Sequence, residues 1–295
     1  MTDIAYMPGC TLKTSGRNFD ETTRKFLELF GVKLNELPDW CCCGTTYSLA
    51  SDNLMYHLAP ARNLVKAAES GSSKLLVPCA MCYNTLRRAQ DLILNDKEKR
   101  DKLNDFMDKE KTKISGDEVR VMHLVSFLKE DVGFDTIKAK ITPPPAGLKA
   151  AVYYGCMLLR PNEIAIDKHP EDPSIMEKLL EACGIETVYF PFKTECCGSY
   201  QVVNEKRLVV SRTAEIVKSA FRNGAELIIT SCPLCYFNLD AHQEELSRGV
   251  KYFNTVPVMY ISQLLALLAG VVEGSNYSLH AVDPRPLLRK KGLLA

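Results

Sequence analysis

The stretch that decides the fold occurs twice in the chain. Residues 74–86 are KLLVPCAMCYNTL, and residues 227–239 are LIITSCPLCYFNL. In each copy a short apolar run leads to a Cys-x-x-Cys pair, which is followed by a helical pattern. Such a run predicts a buried strand, and the pair of cysteines then lies at the start of the next helix. Two copies of one strand–cysteine–helix pattern indicate an internal duplication.

The repeat extends over most of the chain. The matching stretches are YMPGC ending at Cys10 and VYYGC ending at Cys156, CCG at 42–44 and at 196–198, and VMHLVSFL from Val121 and VMYISQLL from Val258. The cysteine spacing is C-x31-CC-x35-C-x2-C in the first half and C-x39-CC-x34-C-x2-C in the second. Ten of the twelve cysteines therefore belong to the repeat.

The adjacent cysteines of each CCG motif pose a geometric problem, because neighbouring side chains of an extended chain point in opposite directions. The glycines that follow, Gly44 and Gly198, allow the positive φ of a tight turn. Cys41 aligns with Glu195 and is interpreted as a bystander. Cys183 stands near a predicted helix end and is interpreted as a small buried apolar residue.

Both halves are predicted to have the α/β fold class. Apolar runs predict strands at 4–7, 75–77, 150–154 and 227–229, and helical patterns lie at 18–30, 54–69 (with a kink at Pro60), 174–183 and 205–222. Alternating strands and helices indicate two tandem, pseudo-symmetric cysteine-rich domains, each with a small, mostly parallel sheet flanked by helices. We predict domains at 1–140 and 149–295, joined by the proline-rich linker ITPPPAGL at 141–148. The cysteines follow the strands, where ligands of parallel sheets gather, so five thiols can converge in each half.

The charge balance, the apolar stretches and the cysteines limit the classes of function that this chain can have. The formal net charge is +1, which gives no reason to expect a nucleic-acid or membrane-surface partner. The longest apolar stretch, 256–272, is shorter than the ~20 residues that span a bilayer, and we predict a buried strand and helix there. A helix that docks on a partner or a membrane anchor is the alternative. The N-terminal residues do not resemble a secretory signal, so we predict a cytoplasmic location. Clustered thiols in that compartment are typical of metal or redox sites rather than disulfides.

The number of repeated cysteines bears on the metal. A structural zinc site takes four ligands, one fewer than each half offers. A cubane iron–sulfur site commonly has the spacing C-x2-C-x2-C-x3-C, which is absent here. An iron–sulfur cluster with more thiolate ligands than a cubane fits the count best. Zinc in one or both sites remains an alternative, because sulfur ligands alone do not separate iron from zinc.

The doubled CCG pattern resembles the CCG-domain family of cysteine-rich proteins, and within it the B subunits of heterodisulfide reductases. The resemblance covers nearly the whole chain and implies one noncubane [4Fe-4S] cluster in each domain. The implied ligands are Cys10, Cys42, Cys43, Cys79 and Cys82 in the first half, and Cys156, Cys196, Cys197, Cys232 and Cys235 in the second.

The resemblance also implies a reaction and partners. The expected activity is that of a catalytic iron–sulfur subunit, which reduces the mixed disulfide of coenzyme M and coenzyme B to two thiols in methanogenesis. A flavin-containing A subunit and a ferredoxin-like C subunit are the expected electron-supplying partners. Four cations near the cysteines are candidates for binding the sulfonate and phosphate of this substrate, namely Lys13, Arg17, Arg160 and Lys193.

Two other functions remain open from the sequence. One is electron transfer in another redox complex, acting on a different disulfide, a sulfur compound, or an organic acid and quinone couple. The other is a non-catalytic assembly subunit that holds zinc. Iron and acid-labile sulfide in anaerobically isolated protein distinguish the redox functions from the zinc protein.

Overall fold

The computed structural model describes residues 2–45, 53–107, 110 and 112–295. Its strands form two four-stranded sheets, one in each half of the chain, and every strand pair is parallel. We call the half that holds β1–β4 the first lobe and the half that holds β5–β8 the second lobe. The strands are β1 Thr2–Tyr6, β2 Val32–Glu36, β3 Lys74–Val77, β4 Arg120–His123, β5 Lys149–Tyr153, β6 Glu186–Thr187, β7 Leu227–Thr230 and β8 Val258–Tyr260. The predicted α/β class, with two similar parallel sheets flanked by helices, is confirmed.

The strand order explains why the cysteines meet. It is β2-β1-β3-β4 in the first lobe and β6-β5-β7-β8 in the second. In each sheet the direction of winding reverses between the two central strands, and the crevice beyond their carboxyl ends is where such sheets bind ligands. Cys10 follows β1 and Cys79 follows β3, while Cys156 follows β5 and Cys232 follows β7. The fold thus directs cysteines from separate strands to one crevice in each lobe.

Burial of the central strands accounts for their uninterrupted apolar sequences. All four residues of β7 are buried, and so are the last three of β3. Strands covered by helices on both faces have no polar face to alternate with the apolar one. This is why β-branched and leucine side chains run consecutively over 75–77 and 227–230, just before the cysteines.

The helices flank these sheets. They are α1 Arg17–Glu28, α2 Leu58–Glu69, α3 Ala80–Asn95, α4 Lys97–Phe106, α5 Leu124–Phe127, α6 Phe134–Lys138, α7 Ile175–Ala182, α8 Lys206–Arg222, α9 Pro233–Gly249, α10 Ile261–Leu268 and α11 Arg285–Lys290. Short 3-10 helices cover Thr11–Lys13, Leu54–His57, Asn162–Ile164, Ser199–Val203 and Tyr277–Leu279, and a π-helix covers Leu128–Val132. The predicted kink at Pro60 is wrong, because Pro60 lies in the first turn of α2, where its missing N–H has no partner to lose.

The lobes exchange helix contacts across their interface. Helix α10 of the second lobe packs on α1 of the first, and α6 of the first lobe packs on α7 of the second. In the α1–α10 contact the ring of Phe19 stacks on that of Tyr260, with centroids 4.4 Å apart, and Thr22 Oγ1 lies 2.7 Å from Ser262 Oγ. One continuous apolar core therefore includes residues of both lobes.

The apolar stretch 256–272 forms β8 and α10, and all residues of α10 are buried, which confirms the predicted buried strand and helix. Within the described ranges, no helix combines the length and the apolar character needed to cross a lipid bilayer. The proline-rich segment lies against the second lobe, where the Thr142 amide donates to the Leu268 carbonyl at 2.9 Å. The domain boundaries 1–140, 141–148 and 149–295 stay a prediction.

Candidate metal centres

Two sulfur pairs in the second lobe have the separation expected of ligands that share a metal. Cys156 Sγ lies 4.0 Å from Cys196 Sγ, and Cys197 Sγ lies 3.6 Å from Cys235 Sγ. Two thiolates on one tetrahedral metal, each bonded at about 2.3 Å, lie about 3.8 Å apart. The fifth cysteine, Cys232, joins this group through Cys235, whose pKa is raised well above its ordinary value by hydrogen bonds with Cys197 and then Cys232.

A glycine turn lets the adjacent Cys196 and Cys197 serve the same centre. Gly198 has φ +94°, in the left-handed region that favours glycine. The turn also aims two backbone amides at the sulfurs: Gly198 N donates to Cys196 Sγ and Ser199 N donates to Cys197 Sγ, each at 3.4 Å. The CCG motif thus supplies both the bend and two hydrogen-bond donors.

Hydrogen bonds favour the thiolate form of two of these sulfurs. The Cys156 thiol donates to Cys196 and lowers the pKa of Cys196 to about 6. The pKa of Cys197 is lowered by its hydrogen bond with Cys235 and also by Asn238, whose Nδ2 lies 3.3 Å from Cys197 Sγ. Since the thiolate is the form that binds metal, these hydrogen bonds from neighbouring thiols and from Asn238 favour metal binding.

The first lobe has a similar CCG turn but a different pairing of thiols, because Cys42 is hydrogen-bonded with Cys43, which raises the pKa of Cys42. Hydrogen bonds from Cys42 and Cys82 hold the pKa of Cys43 well below its ordinary value. Gly44 has φ +67°, and the amides of Gly44 and Thr45 stabilise charge on Cys42 and Cys43, as Gly198 and Ser199 do in the second lobe. The two CCG turns are thus equivalent in structure as well as in sequence.

The residue before the first cysteine of each repeat is glycine for a different reason, namely its close approach to a sulfur. Gly9 has φ +81° and a Cβ there would lie 2.8 Å from Cys82 Sγ; Gly155 has φ +65° and a Cβ there would lie 2.9 Å from Cys235 Sγ. Both contacts are closer than side-chain carbons and sulfurs approach. The Gly-Cys dipeptide is therefore needed for the chain to pass beside the Cys-x-x-Cys sulfur.

Each site has a buried edge and an exposed edge. Cys43, Cys79, Cys82, Cys197, Cys232 and Cys235 are buried, Cys10, Cys42 and Cys196 are exposed, and Cys156 is partly exposed. Cys79 and Cys232 are the N-cap residues of α3 and α9. The buried edges lie near the lobe interface: burial raises the pKa of Tyr260 well above its ordinary value, and Tyr236, Cys232 and Cys79 add to the effect.

The donor set fits a polynuclear group. Within the part of the chain that the structure describes, no three His, Cys, Asp or Glu side chains surround one point closely enough to bind a single ion. In the second lobe the thiols instead form two neighbouring pairs, each with the spacing of two ligands on one metal. Several metal atoms joined by inorganic sulfide match this arrangement better than one zinc ion does.

The two cysteines outside the repeat make other contacts. Cys41 Sγ lies 3.5 Å from the Ala59 carbonyl and 3.6 Å from Asn63 Oδ1, so its hydrogen bonds are made to helix α2. Cys183 is buried in the apolar core, and burial raises its pKa to about 12. These contacts agree with the interpretation of Cys41 as a bystander and of Cys183 as a core residue.

Three of the four cations predicted to bind anions are engaged by carboxylates. The ion pairs are Lys13–Glu36 at 2.7 Å, Arg160–Glu171 at 2.6 Å, and Lys193–Asp172 at 2.6 Å. Arg17 is exposed at the start of α1 and, among the described residues, has no carboxylate within 4.0 Å. The role of these four residues stays a prediction.

Several residues of the sites have no signal in the cysteine spacing. Asn84, two positions after Cys82, donates through Nδ2 to the carbonyls of Met157 and Arg160, at 2.9 and 2.5 Å. A first-lobe helix thus fixes the loop that carries Cys156. The repeated Gly-Cys dipeptide was a sequence signal for Gly9 and Gly155. The contacts of Asn84 cross between the lobes, and a single sequence cannot predict them.

Residues 4–87 and 150–240 match the model of the CCG cysteine-rich domain, once in each lobe. The chain belongs to the CCG cysteine-rich domain family. The two matched regions begin at the first strands of the two sheets and include all ten repeated cysteines. The family membership predicted from the doubled CCG pattern is thereby confirmed.

Relatives of this CCG protein include components of two kinds of redox complex. It is 31% identical over 269 residues to the 8-methylmenaquinol:fumarate reductase membrane anchor subunit of Wolinella succinogenes, covering 91% of this chain and 93% of that protein. It is 29% identical to a protein of Archaeoglobus profundus that is named as similar to the B subunit of heterodisulfide reductase, covering 89% of each. It is 28% identical to the B subunit of the ferredoxin/F(420)H(2)-dependent CoB-CoM heterodisulfide reductase of Methanosarcina acetivorans, covering 92% of this chain and 90% of that protein.

The fold is similar to that of a solved structure. A hypothetical protein from Helicobacter pylori superposes with a TM-score of 0.72 at 16% sequence identity, covering 95% of this CCG chain and 52% of that chain. The chain therefore spans about half the length of that structure. At this identity the similarity concerns the fold alone.

Proposed function

We propose that this CCG protein is the redox subunit of a heterodisulfide reductase-type complex and that each lobe holds one noncubane [4Fe-4S] cluster on its five repeated cysteines. The observation that carries the proposal is the paired arrangement of the sulfurs, at 3.6 and 4.0 Å in the second lobe, on a fivefold cysteine set that occurs twice. An iron–sulfur cluster, when bound, supplies electrons one at a time. Two clusters, each supplying one electron, therefore match a two-electron reaction.

The protein's own residues prepare and divide each site. Backbone amides of the CCG turns stabilise thiolates on the adjacent cysteines, and Asn238 adds a donor in the second lobe. The exposed thiols Cys10 and Cys42, and in the second lobe Cys196, lie where a substrate or a partner protein can approach. The buried thiols Cys79 and Cys232 lie toward the lobe interface, which excludes water from that edge.

The first candidate substrate is the mixed disulfide of coenzyme M and coenzyme B. Its reduction consumes two electrons and two protons and yields two thiols. The two relatives named for the B subunit of heterodisulfide reductase, at 28–29% identity over about nine-tenths of the chain, support this candidate. In a complex that reduces this disulfide, a flavin-containing A subunit and a ferredoxin-like C subunit would supply the electrons.

The second candidate substrate is a quinol, in a complex that serves an organic acid. Two observations favour it. The 31% identical relative is named for 8-methylmenaquinol and fumarate. In addition, Lys13, Arg160 and Lys193 are already paired with carboxylates, which leaves few free cations for a substrate that carries a sulfonate and a phosphate.

We also propose a cytoplasmic location. All twelve cysteines, each of which lies in the described ranges, are free thiols. Thiols persist in reducing compartments, whereas exported proteins tend to form disulfides. This agrees with cysteines that serve as ligands.

Anaerobic isolation tests the proposal. We expect brown protein with iron and acid-labile sulfide, two cluster signals in electron paramagnetic resonance (EPR), and activity with one of a panel of disulfides and quinols. Cys196→Ser should abolish turnover and remove the second-lobe signal while the first-lobe signal remains. Colourless protein containing zinc, or full turnover in Cys196→Ser, would contradict the proposal.

A further inference from the structure

An open cleft lies against the exposed edge of the second site. Its volume is about 400 Å³, within the range of small-molecule sites, and the thiol-bearing residues Cys156 and Cys196 form part of its wall. Met157, Tyr200 and Leu208 form much of the remainder. An apolar cleft of this size beside two proposed cluster ligands is placed to bind a redox-active small molecule.

The ionised groups of the cleft do not suit an anion. Arg212, its one cationic lining residue among those described, is paired with Glu195 at 3.0 Å and with Glu215 at 2.6 Å. Both partners of Arg212 are carboxylates, so its positive charge is already neutralised. Among the described lining residues the cleft therefore offers no free cation to a polyanion such as the mixed disulfide of coenzyme M and coenzyme B, with its sulfonate and phosphate.

The uncharged polar groups of the cleft are hydrogen-bond donors. Within the described residues, neither the Tyr200 hydroxyl nor the Gln201 side-chain amide makes a hydrogen bond to protein. Both can donate to a ligand oxygen. Apolar walls, an aromatic ring and two free donors together match a planar, uncharged ring that bears carbonyl oxygens.

We infer that this cleft binds the ring of a quinone. The inference rests on the proposed redox function and assigns the small-molecule site to the second lobe, at the face formed by Met157, Tyr200 and Leu208. The loop that carries Met157 is held by Asn84 of the first lobe, which donates to its carbonyl at 2.9 Å, so one wall of the cleft depends on contact between the lobes. The segment with Tyr200 follows the CCG turn directly.

Equilibrium dialysis of the full chain with 2,3-dimethyl-1,4-naphthoquinone tests the inference. Leu208 is half exposed, at 51%, and Leu208→Glu places a charge in the cleft. We expect this variant to raise the Kd at least tenfold. Phe221→Glu is the matched control, because Phe221 is 45% exposed on the same helix, α8, outside the cleft lining, and it should leave the Kd unchanged.

Tyr200→Phe guards against misfolding of the charged variant, since it removes only a hydroxyl. It should raise the Kd several-fold with an unchanged melting temperature. Absence of quinone binding by the wild type, equal Kd values in Leu208→Glu and Phe221→Glu, or displacement of the quinone by stoichiometric mixed disulfide would each overturn the inference.

Iron and sulfide analysis of the same preparations separates the two proposals. Protein that contains both elements but binds no quinone refutes the cleft assignment and leaves the redox function standing. Protein that binds quinone but lacks iron refutes the redox function instead. In iron-loaded protein, bound quinone should also alter the EPR spectrum of the second-lobe cluster and leave that of the first unchanged.

Discussion

The imidazole of His123 in the first lobe lies 3.4 Å, through Nε2, from the hydroxyl of Ser231 in the second lobe. The same nitrogen lies 2.9 Å from the carbonyl of Pro78, while Nδ1 accepts from the Val125 amide. Pro78 and Ser231 are equivalent residues that immediately precede Cys79 and Cys232. One fully buried side chain therefore connects the strand ends that lead to both sites.

These contacts predict a pH effect on stability. Both nitrogens of His123 are used in the neutral form, and burial lowers the pKa of His123 to about 4, below its ordinary value of 6.5. The unfolded chain thus takes up the proton first, so stability is full above about pH 6.5 and is lost as the pH falls toward 4, by up to about 3 kcal/mol.

His123→Gln should retain the donor to Pro78 and remove this pH dependence. The measurement is the free energy of unfolding of wild type and variant between pH 4 and 7. Burial also lowers the pKa of His280 to about 4, but that effect is common to both proteins and cancels in their difference. Parallel stability curves would contradict the prediction.

A second prediction uses two neighbouring cysteines. Cys42→Ser should remove one of the two cluster signals, because Cys42 is hydrogen-bonded with Cys43 inside the first site. Cys41→Ser should retain both signals, because Cys41 bonds to Ala59 and Asn63 of helix α2. Iron and sulfide analysis with EPR reports the difference. Loss of a cluster in the Cys41 variant would show that this residue is a ligand.

A third prediction changes no ligand. Gly155→Ala adds a Cβ that would lie 2.9 Å from Cys235 Sγ and should displace that sulfur, so the second-lobe cluster is lost. Gly224→Ala is the control, because Gly224 also has positive φ, +84°, but no atom lies within 4 Å of the added carbon. Both variants bear a backbone strain of about 1 kcal/mol. Equal iron contents in the two would refute a role for close approach.

The fourth prediction concerns the redox potential of the second site. Asn238→Thr places in the second lobe the residue found at the equivalent position, Thr85, in the first. It should weaken the hydrogen bond to Cys197 Sγ, which is 3.3 Å long. Loss of a bond worth about 1 kcal/mol shifts a one-electron potential more negative by roughly 20–60 mV. Redox titration followed by EPR measures this, with the first-lobe potential as the internal standard.

Sequence patterns predicted the sheets because buried parallel strands leave a continuous apolar run, as at β3 and β7. The repeated cysteine spacing agrees with the approach of Cys156 to Cys196 and of Cys197 to Cys235, whereas the full set of ten ligands stays a prediction. The sequence patterns did not predict that Pro60 lies in the first turn of a helix, since a proline in a helical pattern is compatible with either a kink or a helix start. The contact of Asn84 with Met157 and that of His123 with Ser231 could not be predicted either, because each joins residues more than 70 positions apart.

The reciprocal helix packing between the lobes has an evolutionary consequence. Helix α10 packs on α1, and the segment after β4 packs reciprocally on the helix after β5. This is the isologous pattern of a homodimer, in which each copy offers the same patch to the other. A single-lobed ancestor would then have been a symmetric dimer with two identical centres. Fusion of two such copies would free the paired positions to differ, as the equivalent residues His123 and Tyr260 do.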